Sequence, residues 1–371
     1  MSQGGALCVA VTGDLVLDEP DAGYWLSGIA PALRAADVTI GHLEVPHTAS
    51  LVEAGGDVPA PGAPPENLAA LSPAGFDIVT LAGNHIADCG PEGIADTVRE
   101  LDRHGIRHSG AGPDLAAARA PALADAEGLR LAVLSYNCVG PQTGWAGPQR
   151  AGCAYLPIVT ADGSPVSPTA PLERVAPEAV NMLREDIASA RLEADFVLVA
   201  LHKGIVHTPA KLAPYEREVA HLAVECGADA VISHHAHIVR GIEFHNGRPI
   251  FHGLGNGCVV TSALSPDQDH PARSEWAQRR KELFGFEPDP AYRLAPFHPE
   301  AVNAFIGKIV FAAGKLPQAW IVPVFVEPPG RPVLARGPQA RGISDYVERV
   351  TAMAGLPAIR IHDDGRAEPR Q

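Results

Sequence analysis

Apolar and polar positions along the chain alternate between short β-rich runs and amphipathic stretches. Continuous apolar runs of a few residues predict buried strands, whereas apolar residues at three- and four-residue spacing predict helices. On that basis residues 7–12, 38–40, 76–81, 106–108, 129–136, 196–201 and 230–232 read as strands. Helices are predicted near 23–35, 66–72, 91–104, 113–118, 176–193 and 213–226. The 91–104 segment has Pro91 at its start and Gly105 just after it, the punctuation a helix favours. Residues 238–245 and 248–252 alternate around Asn246-Gly247, which predicts a hairpin. Residues 304–312 and 319–326 predict closing antiparallel strands. The Gly- and Pro-rich stretch 55–66 reads as a surface loop, 140–175 as loop or a weakly structured insertion, and 261–300 as an irregular insertion with a helix near 273–284. Strand–helix alternation followed by hairpins predicts one α/β domain over 1–327, with its sheets sandwiched between helices. Residues 328–371 read as a peripheral tail with a helix at 343–353.

The chemistry sits where these strands stop. Asp14 follows the first strand, Glu44 the second, Asn84-His85 the third, His202 the strand 196–201, and His235 and His237 the strand 230–232. Ligands in α/β folds bind at the carboxyl ends of strands. Carboxylate, amide oxygen and imidazole together suit Zn²⁺, Mn²⁺ or Fe²⁺. Five successive strand ends carrying such residues predict one or two bound divalent metal ions. His42, Lys203, His207 and Asn256 flank these positions and are candidate substrate contacts, while His234 reads as a neighbour of the pair.

Composition narrows the function. The chain has 371 residues, 43 acidic against 29 basic, and a formal net charge of −14. No basic stripe is present, which speaks against nucleic-acid or anionic-membrane binding. No apolar run reaches the roughly 18–20 residues of a membrane-spanning helix, and the first residues lack a signal-peptide pattern, so the expectation is a cytoplasmic protein. The six cysteines are scattered singly and form no C-x-x-C, which argues against a disulfide framework or a thiolate zinc site. Residues 110–112 do not belong to a G-x-x-x-x-G-K-[ST] loop, and no such loop occurs in the chain.

The order of these segments resembles the calcineurin-like metallophosphoesterases, and more closely the CapA family of poly-γ-glutamate capsule biosynthesis proteins. The shared segments are Gly13-Asp14, Leu43-Glu44-Val45-Pro46, Ala74-Gly75-Phe76-Asp77, Leu81-Ala82-Gly83-Asn84-His85 with Asp88 and Gly90, Gly110-Ala111-Gly112, His202-Lys203-Gly204, Gly227-Ala228-Asp229, His235-Ala236-His237 and Leu254-Gly255-Asn256. The resemblance implies a four-layer α-β-β-α sandwich. It also implies Asp14 and His237 on a first metal, Glu44 bridging, and Asn84, His202 and His235 on a second. His85 would be the general acid, oriented by Asp88. The implied activity is hydrolysis of an amide or γ-glutamyl-type bond by a metal-activated water. The alternatives are a phosphoesterase acting on a small molecule, or a non-catalytic accessory role in capsule synthesis. A small molecule or short peptide is the expected partner, with Lys203 or arginines of the 261–300 insertion meeting its carboxylate; a homo-oligomer is left open. The sequence departs from the family pattern at His42, Lys203, Val206, Ala236 and Gly257. Val16 stands where the wider superfamily has a further histidine.

Overall fold

The computed structural model of the chain describes residues 5–54, 58, 62–265 and 267–370, so the expected 55–66 loop lies partly outside the described residues. Most described strands gather into two sheets. The larger has the order Ile359–Ile361, Arg366–Pro369, Gln318–Glu327, Asn303–Ala312, Ala6–Leu17, Val38–Leu43, Ile78–Thr80, Arg107–Ser109. Asn256–Val260 also pairs with Ala6–Leu17, and Arg331–Leu334 with Gln318–Glu327. The smaller has the order Val239–His245, Arg248–Leu254, Ala230–His235, Phe196–Lys203, Leu129–Asn137, Ala122–Ala126.

In both sheets the strands that carry the site are parallel neighbours. Parallel pairing needs crossover connections, and the helices supply them. The two sheets face one another across a shared core that includes Leu7, Val9, Val11, Val38 and Ile40 from one sheet and Leu131, Val133, Leu198, Ala200 and Ile232 from the other. Their outer faces are covered by helices. Leu26, Leu33, Leu71, Ile94 and Leu101 pack on the larger sheet, and Leu183, Ile187, Val219 and Ala223 on the smaller. The chain is thus a four-layer α-β-β-α sandwich. Full burial of each such apolar side chain contributes about 1.5–3 kcal/mol. Helix Gly90–Arg103 shows how the pattern is met: Gly93, Ile94, Thr97 and Leu101 form its buried face, and Gly105 leaves it at φ 68.

Several expectations need correction. The first strand runs on to Leu17, so Asp14 lies within it rather than after it. Its register shifts between Asp14 and Leu15, where pairing passes to Asn256–Val260. This irregularity lets a strand continue while turning a side chain into the site. Gly13 makes the passage possible, because a Cβ there would meet the Gly255 carbonyl oxygen at 1.8 Å. The stretch 140–175 is not plain loop: Gly152–Cys153, Ile158–Thr160 and Leu172–Val175 are strands, and Leu156, Ile158 and Leu172 are buried against the smaller sheet's outer layer. The expected 273–284 helix is two, Pro271–Gln278 and Arg280–Phe284. The tail is not peripheral. Ile343, Tyr346, Val347 and Val350 of helix Gly337–Met353 are buried, and three of them, Tyr346, Val347 and Val350, join the inter-sheet core. Among the described residues no helix is long and apolar enough to cross a membrane.

Candidate metal centre and its cavity

Strand alternation decides which side chains enter the site. Along Phe196–Lys203, Leu198 and Ala200 face the opposite sheet, while Val197, Val199 and Leu201 face the helices. The period of two therefore sends His202 into the inter-sheet site and Lys203 the other way. Along Ala230–His235 the same rule places His234 between the sheets. There its Nε2 lies 3.0 Å from the Thr12 carbonyl oxygen. His235 and His237 follow with φ of 86° and 53°, in the left-handed region that non-glycine residues rarely occupy. Two such residues fold the chain end back, so both imidazoles reach the same place instead of opposite faces.

Seven side chains converge. Ligand atoms of Asp14, His42 and His202 lie within 4.8 Å of one another, as do those of Glu44, His202 and His235. His202 Nε2 is 2.7 Å from Asn84 Oδ1. His237 Nε2 is 3.2 Å and Nδ1 3.7 Å from the carboxylates of Glu44 and Asp14 respectively. All but His237 are at most 3% exposed. Gly83 permits the packing, since a Cβ there would sit 3.2 Å from His42 Nε2 and 3.3 Å from the His202 ring.

The electrostatics are those of an incompletely neutralised anionic cluster. Burial drives Asp14 upward, and the nearby Glu44 charge adds to it. Burial also works against the charged forms of Glu44 and His237, but their mutual attraction prevails: Glu44 is held low and His237 is raised. Burial and the surrounding imidazoles hold His42 and His202 well below the ordinary histidine range, so both are neutral and able to donate a lone pair. The buried His42 Nε2 and His202 Nδ1 have no hydrogen-bond partner among the described residues. Orphaned nitrogens of neutral histidines beside two carboxylates are the donor set a divalent transition metal takes.

A cavity of about 760 Å³, counting its open mouth, lies over this cluster. Glu44, Asn84, His85, His207, His235 and His237 line it. His85 Nδ1 lies 2.6 Å from Asp88 Oδ2, the arrangement expected of an oriented imidazole.

The structure redistributes the four candidate substrate contacts. His207 does line the cavity. His42 does not. Its Nδ1 is 2.9 Å from Thr80 Oγ1, and its ring is stacked on His234 and tilted against His202, so it belongs with the candidate ligands. Asn256 stands behind His237, with Oδ1 2.9 Å from Nδ1, and holds that ring. Lys203 is fully buried on the helix side, 3.3 Å from Glu216 and from His252.

Sequence reasoning missed Asn137, which ends the strand Leu129–Asn137 and donates to the Gly83 and Gly140 carbonyls, fixing the loop that carries Asn84. The signal was available, because it is a polar residue at one more strand end. It also missed Phe284 and Phe297, which together with Trp276 wall the cavity from the far insertion and carry no periodic signal.

With this geometry in view, the relatives can be placed. The sequence profile described as "Bacterial capsule synthesis protein PGA_cap" matches residues 6–259. An uncharacterized protein of Sinorhizobium fredii is 26% identical, covering 91% of this chain and 87% of its own. A probable polyglutamine synthesis accessory protein of Mycobacterium tuberculosis is 30% identical, covering 52% and 47%. The PGA biosynthesis protein CapA of Bacillus subtilis is 26% identical, covering 65% and 58%. Among solved structures, a calcineurin-like phosphoesterase of Bacillus subtilis overlaps with a TM-score of 0.40 at 11% identity, covering 94% of this chain and 97% of that one. The matched profile takes in Asp14, Glu44, Asn84, His202, His235 and His237 with the strands that carry or precede them, and the chain belongs to the bacterial capsule synthesis protein family.

Proposed function

We propose that the chain is a cytosolic, metal-dependent hydrolase acting on an amide-type bond of a small molecule or short peptide. The observation that carries this reading is the convergence of Asp14, His42, Glu44, Asn84, His202, His235 and His237 beneath a cavity that also presents His85. Asp14, Glu44, Asn84, His202, His235 and His237 are the proposed ligands, and His42 joins them. Divalent ions held there supply activation of water at neutral pH and neutralisation of charge on the attacked oxygen. The chain's own residues do the rest. Asp88 accepts from Nδ1–H of His85, which fixes the ring so that its imidazolium form gives the Nε2 proton to the leaving group and returns to the neutral imidazole. An amide nitrogen is a poor leaving group and needs that proton, which favours this bond over an activated ester. Asn256 and Asn137 keep the His237 ring and the Asn84 loop in place.

A second reading follows from the printed name of the mycobacterial relative, an accessory protein: binding without turnover. The full chain supplied with Mn²⁺ or Zn²⁺ separates the two when assayed on chromogenic amides, γ-glutamyl amides and p-nitrophenyl phosphate. The hydrolase reading expects amide turnover that His85→Ala lowers by about 100-fold or more. Turnover of phosphate ester alone would replace the bond assignment, and no turnover of any class would favour the accessory role.

A further inference from the structure

The CapA family that the sequence resembles is named for poly-γ-glutamate, a polymer that carries a carboxylate on every unit. A site that holds such a chain must meet those charges, and long polyanion sites use Lys and Arg to do so. Every Lys and Arg of this sequence lies among the described residues, yet none lines the cavity. Three of the cations that sequence reading offered to a substrate carboxylate, Lys203 and two arginines of the insertion, are held elsewhere. Lys203 is buried with Glu216. Arg280 donates to the Pro296 carbonyl at 2.6 Å and the Leu264 carbonyl at 3.1 Å, with its guanidinium 4.9 Å from the Trp276 ring. Arg273 is paired with Glu53.

The walls are instead apolar. Val16 and Val259 approach from the larger sheet, Val206 from the loop after Phe196–Lys203, and Trp276, Phe284 and Phe297 from the insertion. Val206 stands where the family pattern has a polar side chain, and Val16 where the wider superfamily has one. The aromatic rings close on the histidines themselves: Phe297 stacks on His237 at 4.8 Å between centroids, and Phe284 meets His207 edge-on at 4.8 Å. The acidic wall residue Asp18 has its carboxylate 2.6 Å from Thr261 Oγ1. It adds negative charge to the wall.

Resting on the hydrolase reading above, we infer that the cavity seats an aromatic or bulky apolar group of an uncharged substrate directly beside the histidine–carboxylate cluster. It is not built for a polyglutamate segment. The chemistry is that of most small-molecule sites, apolar walls that bind and a few polar groups that orient. The 261–300 insertion, which brings three rings to the cavity, is then the element that sets specificity.

The test measures binding rather than turnover, so it stands apart from the hydrolase assay. The full chain, with and without Zn²⁺, is titrated by calorimetry with benzamide, acetamide and γ-glutamylglutamate. Benzamide is expected to bind at least about ten-fold more tightly than acetamide, as burial of one ring requires. It should also bind more tightly than the dipeptide, with or without Zn²⁺. Trp276→Ala combined with Phe284→Ala should erase the advantage over acetamide. Val206→Lys, which changes no ring, should weaken benzamide and strengthen the dipeptide; it also serves as the test if the double variant does not fold. Failure of benzamide to bind, dipeptide binding as tight as benzamide to the unmodified chain, or variants without effect would each overturn the inference. A benzamide preference in a protein without amide turnover would keep the apolar site and remove the hydrolase.

Discussion

At the scale of residues, His202 and Lys203 are adjacent in sequence and opposite in role. One enters a cluster of neutral histidines and carboxylates. The other enters a buried charge network in which Lys203 meets Glu216, Arg240 meets Glu216 at 2.9 Å, and His252 Nε2 lies 3.0 Å from Glu243. Arg240 also donates to the Ile205 carbonyl at 2.7 Å, which ties this network to the loop bearing His207. Either replacement of Lys203 leaves Glu216 to Arg240 alone, but alanine also opens a cavity among fully buried groups, at a cost of about 2–5 kcal/mol, which a methionine of similar volume fills. Lys203→Ala is therefore expected to lower unfolding free energy by about 3 kcal/mol, and Lys203→Met by clearly less. Denaturant unfolding measures both. A Lys203→Ala protein of unchanged stability and raised KM would return this lysine to the substrate.

The sequence made the ligand types legible, because five strand ends carried them. It did not make their pointing legible. His42, read as a substrate contact, turns to His202 and His234, and Asn256 turns to His237. Such directions follow from strand register, which a one-residue uncertainty in strand ends reverses.

At the scale of elements, the first strand shows what apolar patterning misses. Residues 7–12 were evident as a buried run, but the strand continues through Gly13 and Asp14 to Leu17 by exchanging partners. The partner strand Asn256–Val260 was not predicted, since its Asn-Gly start reads as a turn. The close passage at Gly13 is needed to hold Asp14, whose carboxylate accepts from the His235 N–H at 3.2 Å. Gly13→Ala should push the two backbones apart at a cost of about 2 kcal/mol or more. It should also weaken metal binding, whereas Gly342→Ala, where a Cβ meets nothing within 4 Å, should do neither. Unfolding midpoints and metal titration of the two variants check this; equal behaviour would mean that the passage at Gly13 has slack.

The whole molecule carries an unusual load of buried histidine. Away from the ligand cluster, burial lowers His47 and His252 to about 4. As pH falls through about 6.5 the unfolded chain takes up these protons first, so the stability they contribute is complete above that value and is lost progressively down to about 4. Glu216, held low despite its burial by Arg240 and Lys203, adds a loss in the same direction at lower pH. Asp14, raised by burial, acts in the opposite sense over the same interval. The reference is accordingly a variant carrying His47→Gln and His252→Gln. Between pH 7 and pH 4 the unmodified chain should lose at least about 3 kcal/mol more than this variant, measured by denaturant unfolding at each pH. Equal slopes would refute the assignment.

Sheets sandwiched between helices were readable from strand–helix alternation, and the four-layer order from the family resemblance. The place of the C-terminal segment was not. Its helix buries Ile343, Tyr346, Val347 and Val350, a pattern visible at three- and four-residue spacing, but the surface it covers includes the strand Val239–His245, more than ninety residues away in sequence. Long-range closure of this kind leaves no local mark.

The central claim is that the strand-end cluster holds metal, and metal analysis of the full chain purified without chelator tests it most directly. The account predicts at least about one equivalent of Zn, Mn or Fe per chain, retained through gel filtration and sharply reduced in His202→Ala and His235→Ala proteins that remain folded. Less than about 0.2 equivalents in the unmodified chain, with no uptake on titration with any of the three ions, would contradict it.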